Sequence, residues 1–301
     1  DTAYRINSTG SAEMIGAEPA DFIQLLKPRV MSLVVFSGLA GLLVAPGTLH
    51  PILAVVAVLC IAVGAGASGA INMWYDRDID AVMERTRARP IPTGRVEPAE
   101  ALTFGVILSA FAVMMMFLAT NAVAAGLLAA AVLFYVFVYT VWLKRRTPQN
   151  IVIGGIAGAA PPLLGWVAVT GSVDPNALLL VAIIFAWTPP HFWALCIAKK
   201  EDYANADIPM LPVTHGEDYT RLQMLLYTIL MVIVTVLPYL SGMSGVVYLI
   251  GIAIINARFL TLLKRYTDSK DAQDAMILFW YSIRYIMWLF LFLLVDHFVL
   301  L

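Results

Sequence analysis

One stretch of the chain joins a long apolar run to a regular series of polar residues: PILAVVAVLCIAVGAGASGAINMWYDRDID, residues 51–80. Its first part, residues 51–73, is long enough to cross a hydrocarbon layer of ~30 Å, which needs about 20 helical residues. Asn72, Asp76 and Asp80 then follow at four-residue spacing, so on a helix they form one polar stripe with neighbours about 5–6 Å apart. The stretch predicts a membrane-spanning helix whose end carries carboxylates at the membrane surface.

The composition extends this prediction to the whole chain. The 301 residues are 61% hydrophobic and 13% charged, and their mean hydropathy is +0.84. In lipid every backbone polar group must be bonded internally, and the apolar runs lack the alternation of a membrane barrel, so they are expected to be helices. The fold class predicted is an all-α polytopic membrane protein with nine transmembrane helices around a central cavity. The predicted spans are residues 22–44, 51–73, 99–118, 122–142, 150–169, 177–198, 222–240, 246–263 and 276–299.

The basic residues predict the orientation of these helices. Connections at 45–50, 119–121, 170–176 and 241–245 contain no Lys or Arg. The positive-inside rule therefore places the N-terminus and the remaining loops in the cytoplasm. We expect residues 1–20 to form a flexible cytoplasmic tail and residues 21–301 to form a single domain. The first 20 residues resemble neither a signal peptide nor a transit peptide. This favours a multi-pass protein of a bacterial plasma (inner) membrane, with its active site on the cytoplasmic side.

Charged groups of both signs follow the predicted second and sixth spans. The segment ERTRARPIPTGR, residues 84–95, comes directly after the acidic stripe, and a second acidic segment, KKEDYANADIPMLP, covers residues 199–212. Mg²⁺ binds to one or two carboxylates together with phosphate oxygens, and guanidinium groups also bind phosphate. These two acidic segments, called the acidic lips below, would therefore suit a diphosphate if they face each other. Ionisation of an allylic diphosphate fits this chemistry, because an apolar chamber would shield the resulting cation from water.

Several motifs resemble a known superfamily. NMWYDRDID at 72–80 and RPIPTG at 89–94 resemble the UbiA-type intramembrane prenyltransferases, which are nine-helix bundles. Within it, TPPHFWAL at 188–195 and DYANADIPMLP at 202–212 look like the heme O synthase (protoheme IX farnesyltransferase) family, and so do the segments 27–29, 144–145 and 154–162. This resemblance implies farnesyl transfer from farnesyl diphosphate to a vinyl group of heme B, with addition of water, to give heme O. It also implies a Mg²⁺ cofactor.

The resemblance, together with the charge pattern, assigns roles to individual residues. Asp78 lies some 200° around a helix from Asp76, so we expect it to form a salt bridge or to lie at the surface. Asp207 occupies a variable position of the family pattern. The expected catalytic carboxylates are Asp76, Asp80 and Asp202, and with Asn72 they form the expected metal set. The expected diphosphate set is Arg89, Lys144, Arg145, Lys199 and Arg29. The expected heme contacts are His191 and Trp193.

Some positions keep two interpretations. His191 follows two prolines within a span, where an ionisable group is costly. It is either a ligand or hydrogen-bond partner for heme, or a neutral histidine bonded to a carbonyl that the prolines leave free. The glycines of 154–158 resemble a phosphate loop but are expected to permit close helix packing. Cys60 and Cys196 are expected to be buried packing residues.

The partners follow from the same resemblance. Farnesyl diphosphate, heme B and the bilayer are expected, with heme A synthase as a candidate protein partner and no nucleic acid. One alternative is a related prenyltransferase with another aromatic or quinone-precursor acceptor. A second alternative is an ion or lipid transporter. A transporter would need ionisable residues deep in several helices, whereas the charges here gather at one rim.

Overall fold

A computed structural model describes residues 4–6, 12–14 and 17–300. Near the N-terminus, β1 (Tyr4–Ile6) and β2 (Ala12–Met14) pair antiparallel. All other regular elements of the described chain are helices. The prediction that residues 1–20 form a flexible tail stays a prediction, although these two short strands and the first residues of α1 fall within it.

The helices are, in chain order, α1 (Pro19–Leu25), α2 (Pro28–Leu43), α3 (Pro51–Tyr75), α4 (Arg77–Val82), α5 (Pro98–Ala119), α6 (Ala122–Leu133, continued by a π-helix, Phe134–Leu143), α7 (Asn150–Ala159), α8 (Pro161–Thr170), α9 (Pro175–Ala198), α10 (Lys200–Asn205), α11 (Leu211–Thr214), α12 (Gly216–Leu240), α13 (Val246–Ser269) and α14 (Ala272–Leu300). Within the described residues, eight helical segments are long and apolar enough to cross a membrane. The pair α1 and α2, bent by 55°, adds a ninth if it is counted as one span. The all-helical fold class is confirmed.

Local sequence signals explain where several helices begin. Proline occupies the first turn of seven of the described helices, including α3, α5 and α9, where its fixed φ suits a helix and its missing N–H removes no bond. The side chains of Asn121 and Asp174 accept hydrogen bonds from backbone N–H groups at the start of α6 and α9. These helix starts lie within a few residues of the predicted span limits.

Close helix packing depends on glycine. A Cβ atom added to Gly41 would lie 2.0 Å from the Pro162 carbonyl oxygen, and one added to Gly165 would lie 2.0 Å from the Gly38 oxygen. Helices α2 and α8 therefore touch through their backbones, as small residues allow in membrane proteins. Gly154 lies against the Tyr139 ring, where an added Cβ would be 2.2 Å from Cδ2. The packing interpretation of the 154–158 glycines is confirmed at Gly154. Cys60 and Cys196 are buried free thiols, as predicted.

The polar loops meet on one face of the bundle. Lys200, after α9, pairs with Glu217 at the start of α12 with a separation of 3.2 Å. Lys270, after α13, lies 3.4 Å from Asp218. Asp202 accepts a hydrogen bond from the backbone N–H of Glu84, in the loop after α4. These contacts place the loops predicted to be cytoplasmic together at one rim.

Candidate active site

The polar stripe lies where α3 passes into α4. Helix α3 ends at Tyr75, but the N–H of Asp76 still donates to the Asn72 carbonyl at 2.9 Å, and that of Asp80 donates to the Asp76 carbonyl at 2.8 Å. The four-residue register therefore continues through the junction. All three side chains are buried, and Asp76 has no exposed surface. The predicted stripe is present, and it lies inside the protein.

Asn72 connects three parts of the chain. Its Nδ2 donates to Asp76 Oδ2 at 2.7 Å and contacts Thr140 Oγ1 at 3.2 Å. Its Oδ1 accepts a hydrogen bond from Lys27 Nζ at 3.0 Å. Because both ends of the amide are bonded, its orientation is fixed.

Two basic side chains from the segment after α6 approach Asp76. Lys144 Nζ forms an ion pair with Asp76 Oδ2. Arg145 Nη2 lies 3.5 Å from Oδ1, which is an ion-pair separation and not a hydrogen bond. Oδ1 is buried and accepts no hydrogen bond from the described residues. One oxygen of a buried carboxylate is therefore left with bonding capacity, which is costly unless a further ligand uses it.

Asp80 has its own cationic partner. Arg89 Nη1 contacts Asp80 Oδ2 at 2.6 Å, and 20% of the Arg89 side chain is exposed while Asp80 is buried. The Thr86 hydroxyl donates to the Asp80 backbone carbonyl at 3.1 Å, which fixes the loop that carries Arg89. The acidic stripe and the arginine segment are thus in direct contact at this pair, and the diphosphate role expected for Arg89 stays a prediction.

Arg145 makes a second contact with Asp78. Its two terminal nitrogens donate to the two Asp78 oxygens, each at 2.7 Å, and the guanidinium lies 5.0 Å from the centre of the Tyr75 ring. This hydrogen bonding holds the pKa of Asp78 below its usual range. Asp78 is largely exposed and forms this salt bridge, so the prediction for it is confirmed. Arg145 is consequently held beside Asp76.

A π-helix shapes the wall opposite the stripe. In the segment FYVFVYTVWL, residues 134–143, the turns are wider than in an α-helix. The Thr140 hydroxyl donates to the Tyr135 carbonyl at 2.9 Å, and the Lys144 N–H donates to the Tyr139 carbonyl, five residues back. This register brings Thr140 to Asn72 and Lys144 to Asp76. Such insertions occur often at functional sites, but nothing in the sequence spacing predicted one here.

Lys27 joins the site although the sequence analysis did not assign it there. It lies at the break between α1 and α2, with a left-handed backbone, φ 52° and ψ 55°, and points its ammonium at Asn72. The signal in the sequence is Pro28, which disfavours helix at the preceding residue. Arg29 and Lys199, which were expected in the diphosphate set, are both exposed and form no ion pair within the described chain. Their predicted role remains untested.

Asp202 joins the two acidic lips through the loop backbone. Its Oδ1 accepts from the Glu84 N–H at 2.8 Å, so the two lips do face each other. Among the described residues, no three acidic, histidine or cysteine side chains come together as a metal site. The place of Asp202 in the metal set therefore stays a prediction. Asp207, with a φ of 53°, lines a surface depression of about 330 Å³ together with Asp78 and Arg145.

His191 and Trp193 point to different neighbours. The His191 ring stacks between Trp187 and Phe279, with centroid distances of 4.3 and 4.7 Å, and its Nδ1 lies 2.6 Å from Ser282 Oγ. Its partner is thus a hydroxyl of α14 and not a carbonyl freed by the prolines, which corrects that part of the prediction. Trp193 is 1% exposed and packs edge-on against Tyr227 of α12. The structure does not bring the two predicted heme contacts to one surface.

The donor set around Asp76 fits a hard divalent cation. Mg²⁺ takes few protein carboxylates and completes its shell with water and phosphate oxygens, so a cluster of three carboxylates is not required. The unbonded buried oxygen of Asp76, close to the amide of Asn72, supplies a suitable anionic ligand. The surrounding cations match the phosphate groups that would complete the shell.

Fold and site together define a polytopic helical membrane protein with a charged, partly buried site at one rim. Residues 34–283 match the UbiA prenyltransferase family, and the chain belongs to that family. It is therefore a membrane-embedded prenyltransferase.

Similar proteins cover nearly the whole chain. A protein of Granulibacter bethesdensis described as protoheme IX farnesyltransferase is 54% identical, over 96% of this chain and 94% of its own length. One from Parvibaculum lavamentivorans with the same description is 57% identical, over 92% of this chain and 88% of its own.

Solved structures with the same fold are more distant. A digeranylgeranylglyceryl phosphate synthase aligns with a TM-score of 0.77 and 18% identity, covering 92% of this chain and 98% of the other. A UbiA homologue from Archaeoglobus fulgidus, solved with DMAPP and Mg²⁺, aligns with a TM-score of 0.60 and 18% identity, covering 89% and 98%. These likenesses show that the fold is shared.

Proposed function

We propose that this prenyltransferase transfers a farnesyl group from farnesyl diphosphate to a vinyl group of heme B, with addition of water, and so forms heme O. The protoheme IX farnesyltransferases that align over nearly the full chain support this substrate pair. The carrying observation is the buried Asp76 carboxylate, which has an unbonded oxygen and lies within a group of cationic side chains.

The cationic groups suit the diphosphate of the donor. Lys27 and Lys144 contact the amide and the carboxylate of the stripe, and Arg89 contacts Asp80. Each of these three side chains carries further hydrogen-bond donors that a diphosphate oxygen can use. In a partly buried site, such charge-assisted bonds are about twice as strong as neutral ones. The site therefore binds the donor by its leaving group.

These residues act on bond cleavage by stabilising charge. When the allylic C–O bond breaks, its electron pair leaves with the diphosphate, and the negative charge grows at the oxygens that Lys27, Lys144 and Arg89 face. The vinyl π electrons of the acceptor then form the new C–C bond with the farnesyl cation. Water adds to the resulting carbon cation beside the pyrrole and releases one proton, so atoms and charges balance.

Mg²⁺ is the proposed cofactor. Asp76 and Asn72 would hold it, with Asp80 and Asp202 as the further proposed ligands. When bound, the ion neutralises charge on the leaving diphosphate. The Mg²⁺ ion in the Archaeoglobus fulgidus homologue supports this proposal at the level of the family.

His191 is the proposed contact for the heme acceptor. The Ser282 hydroxyl donates to the Phe279 carbonyl at 2.6 Å, so Ser282 Oγ accepts from His191 Nδ1. By this hydrogen-bond network the proton lies on Nδ1 and Nε2 keeps a lone pair, the tautomer of a histidine that ligates iron. Stacking on both faces fixes the ring. Trp193 packs against Tyr227, so it is better placed to hold α9 against α12 than to contact heme.

The proposed location is the plasma (inner) membrane of a bacterium, with the site on the cytoplasmic side. The support for this orientation is the positive-inside rule. It applies because Lys144, Lys200 and Lys270 all meet at the rim that carries the site. Heme A synthase, as a partner that would use the product, remains a proposal that follows from the family resemblance.

The test is direct detection of the product. Purified protein in detergent is incubated with heme B, farnesyl diphosphate and Mg²⁺, and the pigment is followed by mass. We expect a farnesyl-hydroxyethyl adduct, and we expect Asp76→Asn and Asp80→Asn to abolish it while the protein still folds. Asp268→Asn, an exposed carboxylate at the end of α13, is the matched control and keeps activity.

Two results would reject parts of this proposal. If no adduct forms with heme B but one forms with an aromatic or quinone-precursor acceptor, the acceptor assignment is wrong and prenyl transfer stands. If Asp76→Asn retains full turnover, the role given to its unbonded oxygen is wrong.

A further inference from the structure

Two arginines lie near the middle of the last two membrane helices. Arg258 is in α13 and Arg284 is in α14, and both are exposed on the outer surface of the bundle. Their neighbours one turn away are large apolar side chains that are also exposed, Ile254 at 63%, Trp280 at 57% and Trp288 at 49%. This surface faces lipid. An ionised side chain at such a depth is costly and calls for a partner.

Neither arginine has an acidic partner within the part of the chain that the structure describes. Two other basic residues near the polar end of the helix pair do have one, since Arg265 lies 2.8 Å from Asp274 and Lys270 lies 3.4 Å from Asp218. Lys264, at the same end, has no acidic partner among the described residues, but it lies near the polar loops, whereas the two arginines lie in the apolar region. They take no part in the site at the α3–α4 junction.

The helix geometry makes the two side chains converge. The Tyr281 hydroxyl of α14 donates to the Ile255 carbonyl of α13 at 3.0 Å, which sets these residues at one level. Arg258 lies three residues after Ile255 and Arg284 three after Tyr281, in helices that run in opposite directions. The two arginines therefore lie about one turn on either side of that level.

Side chains on a helix lean toward its N-terminus. Arg258 thus leans away from the loop that joins α13 and α14, whereas Arg284 leans toward it, and both approach the level of Tyr281. Two like charges that converge in an apolar setting repel each other unless an anion lies between them.

The anion that fits is a phosphate group. Guanidinium groups bind phosphate oxygens through paired hydrogen bonds and lose hydration more readily than ammonium groups. Lys264, at the polar end of α13, is six residues from Arg258, or about 9 Å along the helix. A headgroup phosphate that contacts both guanidinium groups would therefore lie at least about 9 Å below the level of Lys264, with local thinning of the bilayer around the two charges. A surface depression of about 610 Å³ toward the polar end is lined by two carboxylates as well as by basic side chains, so the anion is assigned to the two arginines and not to this depression: Thr261, Lys264, Arg265, Asp268, Ser269 and Asp274.

We propose that Arg258 and Arg284 bind the phosphate of an anionic phospholipid at the outer surface of α13 and α14. The exposed Ile254, Trp280 and Trp288 around the two arginines supply contacts for its acyl chains. These apolar neighbours favour a lipid over a free ion. The proposal is independent of the substrates of the prenyl transfer.

The test measures headgroup preference by thermal unfolding. Purified full-length protein in detergent is titrated with phosphatidylglycerol or with phosphatidylcholine of identical acyl chains. We expect phosphatidylglycerol to raise the Tm by several degrees more than phosphatidylcholine, since a ligand of the native state stabilises it. The double variant Arg258→Gln and Arg284→Gln should lose this difference. The charge-matched variant Arg87→Gln and Arg146→Gln, which changes two exposed loop arginines, should keep it.

A second measurement leaves both arginines in place. Phosphatidylglycerol with brominated chains should quench tryptophan fluorescence more than brominated phosphatidylcholine, and Trp280→Phe with Trp288→Phe should remove the excess. Equal responses to the two lipids, or equal stabilisation by inorganic phosphate alone, would overturn the proposal. So would a double variant that keeps the lipid preference and instead loses affinity for heme, because it would assign the arginines to substrate carboxylates.

Discussion

Lys144 and Asp76, separated by 68 residues in the sequence, form an ion pair in which the carboxylate is completely buried. The pair joins the end of α3 to the end of the π-helix. The other Asp76 oxygen, Oδ1, has no hydrogen bond, so the carboxylate can still accept a further ligand while it is paired with the ammonium. A cation and an available anionic oxygen therefore lie side by side, which suits a ligand that combines a metal ion with phosphate.

Replacing Lys144 with methionine should weaken donor binding. The variant keeps the length of the side chain and loses the charge that faces the diphosphate, so we expect the KM for farnesyl diphosphate to rise about tenfold to a hundredfold. A fall in kcat should accompany it, because the leaving group carries more charge in the transition state. Steady-state kinetics with heme B in excess measure both. Lys264→Met is the matched control, and an unchanged KM in Lys144→Met would remove this residue from the site.

Lys27 and Arg29 distinguish the assignment based on the structure from the one based on the sequence. Lys27 contacts Asn72, whereas Arg29 is exposed on the first turn of α2. We expect Lys27→Met to lower kcat/KM for farnesyl diphosphate at least about tenfold and Arg29→Met to have a much smaller effect, as each charge-assisted contact contributes about 1.5–3 kcal/mol. The same kinetic assay compares them. The reverse order would support the sequence-based assignment of Arg29.

The carboxylate stripe and the spans could both be predicted from the sequence, because the stripe depends on local periodicity and the spans depend on the length of the apolar runs. Asn72, Asp76 and Asp80 keep helical spacing in the structure, and apolar length alone locates the membrane helices. The left-handed break at Lys27 had only a weak signal, since a proline after it is compatible with several backbone conformations.

Contacts between distant segments could not be predicted in this way. The π-helix that aligns Lys144 with Asp76 depends on tertiary packing, and the Ser282 partner of His191 lies 91 residues away in the chain. A single sequence records neither contact. The family resemblance placed Trp193 beside His191 in the heme set, although the two side chains have different neighbours in the fold.

Thr140 is predicted to act as a positioning residue. Thr140→Val preserves shape but removes the hydroxyl that accepts from Asn72 Nδ2, so the amide keeps only its bonds to Asp76 and Lys27 and is held less firmly. We expect kcat to fall several-fold to tenfold, with the concentration of Mg²⁺ needed for half-maximal activity also rising. Thr140→Ser should restore both values, because it restores the hydroxyl. If Thr140→Val changes only the Tm, the residue serves stability alone.

His191 and Ser282 give a spectroscopic prediction. With the proton on Nδ1, Nε2 is free to ligate iron, so His191→Gln should shift the Soret band of bound heme and weaken its binding. Ser282→Ala, which removes the partner of Nδ1, should cause a smaller change in the same direction. Absorbance titration with heme B measures both. Unchanged heme affinity and spectrum in His191→Gln would dismiss the ligand proposal while leaving prenyl transfer intact.

Asp296 anchors the start of α13 from the far end of α14. Its carboxylate accepts hydrogen bonds from the backbone N–H groups of Gly245 and Tyr248, and the residue is 1% exposed. Asparagine at this position would turn an N–H₂ group toward one of the two donors, which leaves a buried N–H unbonded. We expect Asp296→Asn to destabilise the protein by about 1–3 kcal/mol.

Thermal unfolding in detergent measures this loss, and Asp268→Asn is the control because its carboxylate is exposed. Donor affinity should not change in Asp296→Asn, because the cap lies at the opposite end of α13 from the polar loops that meet at the active-site rim. A Tm equal to that of the control would mean that water replaces the carboxylate at the start of α13. A change in the KM for farnesyl diphosphate would instead indicate that the two ends of the bundle are coupled.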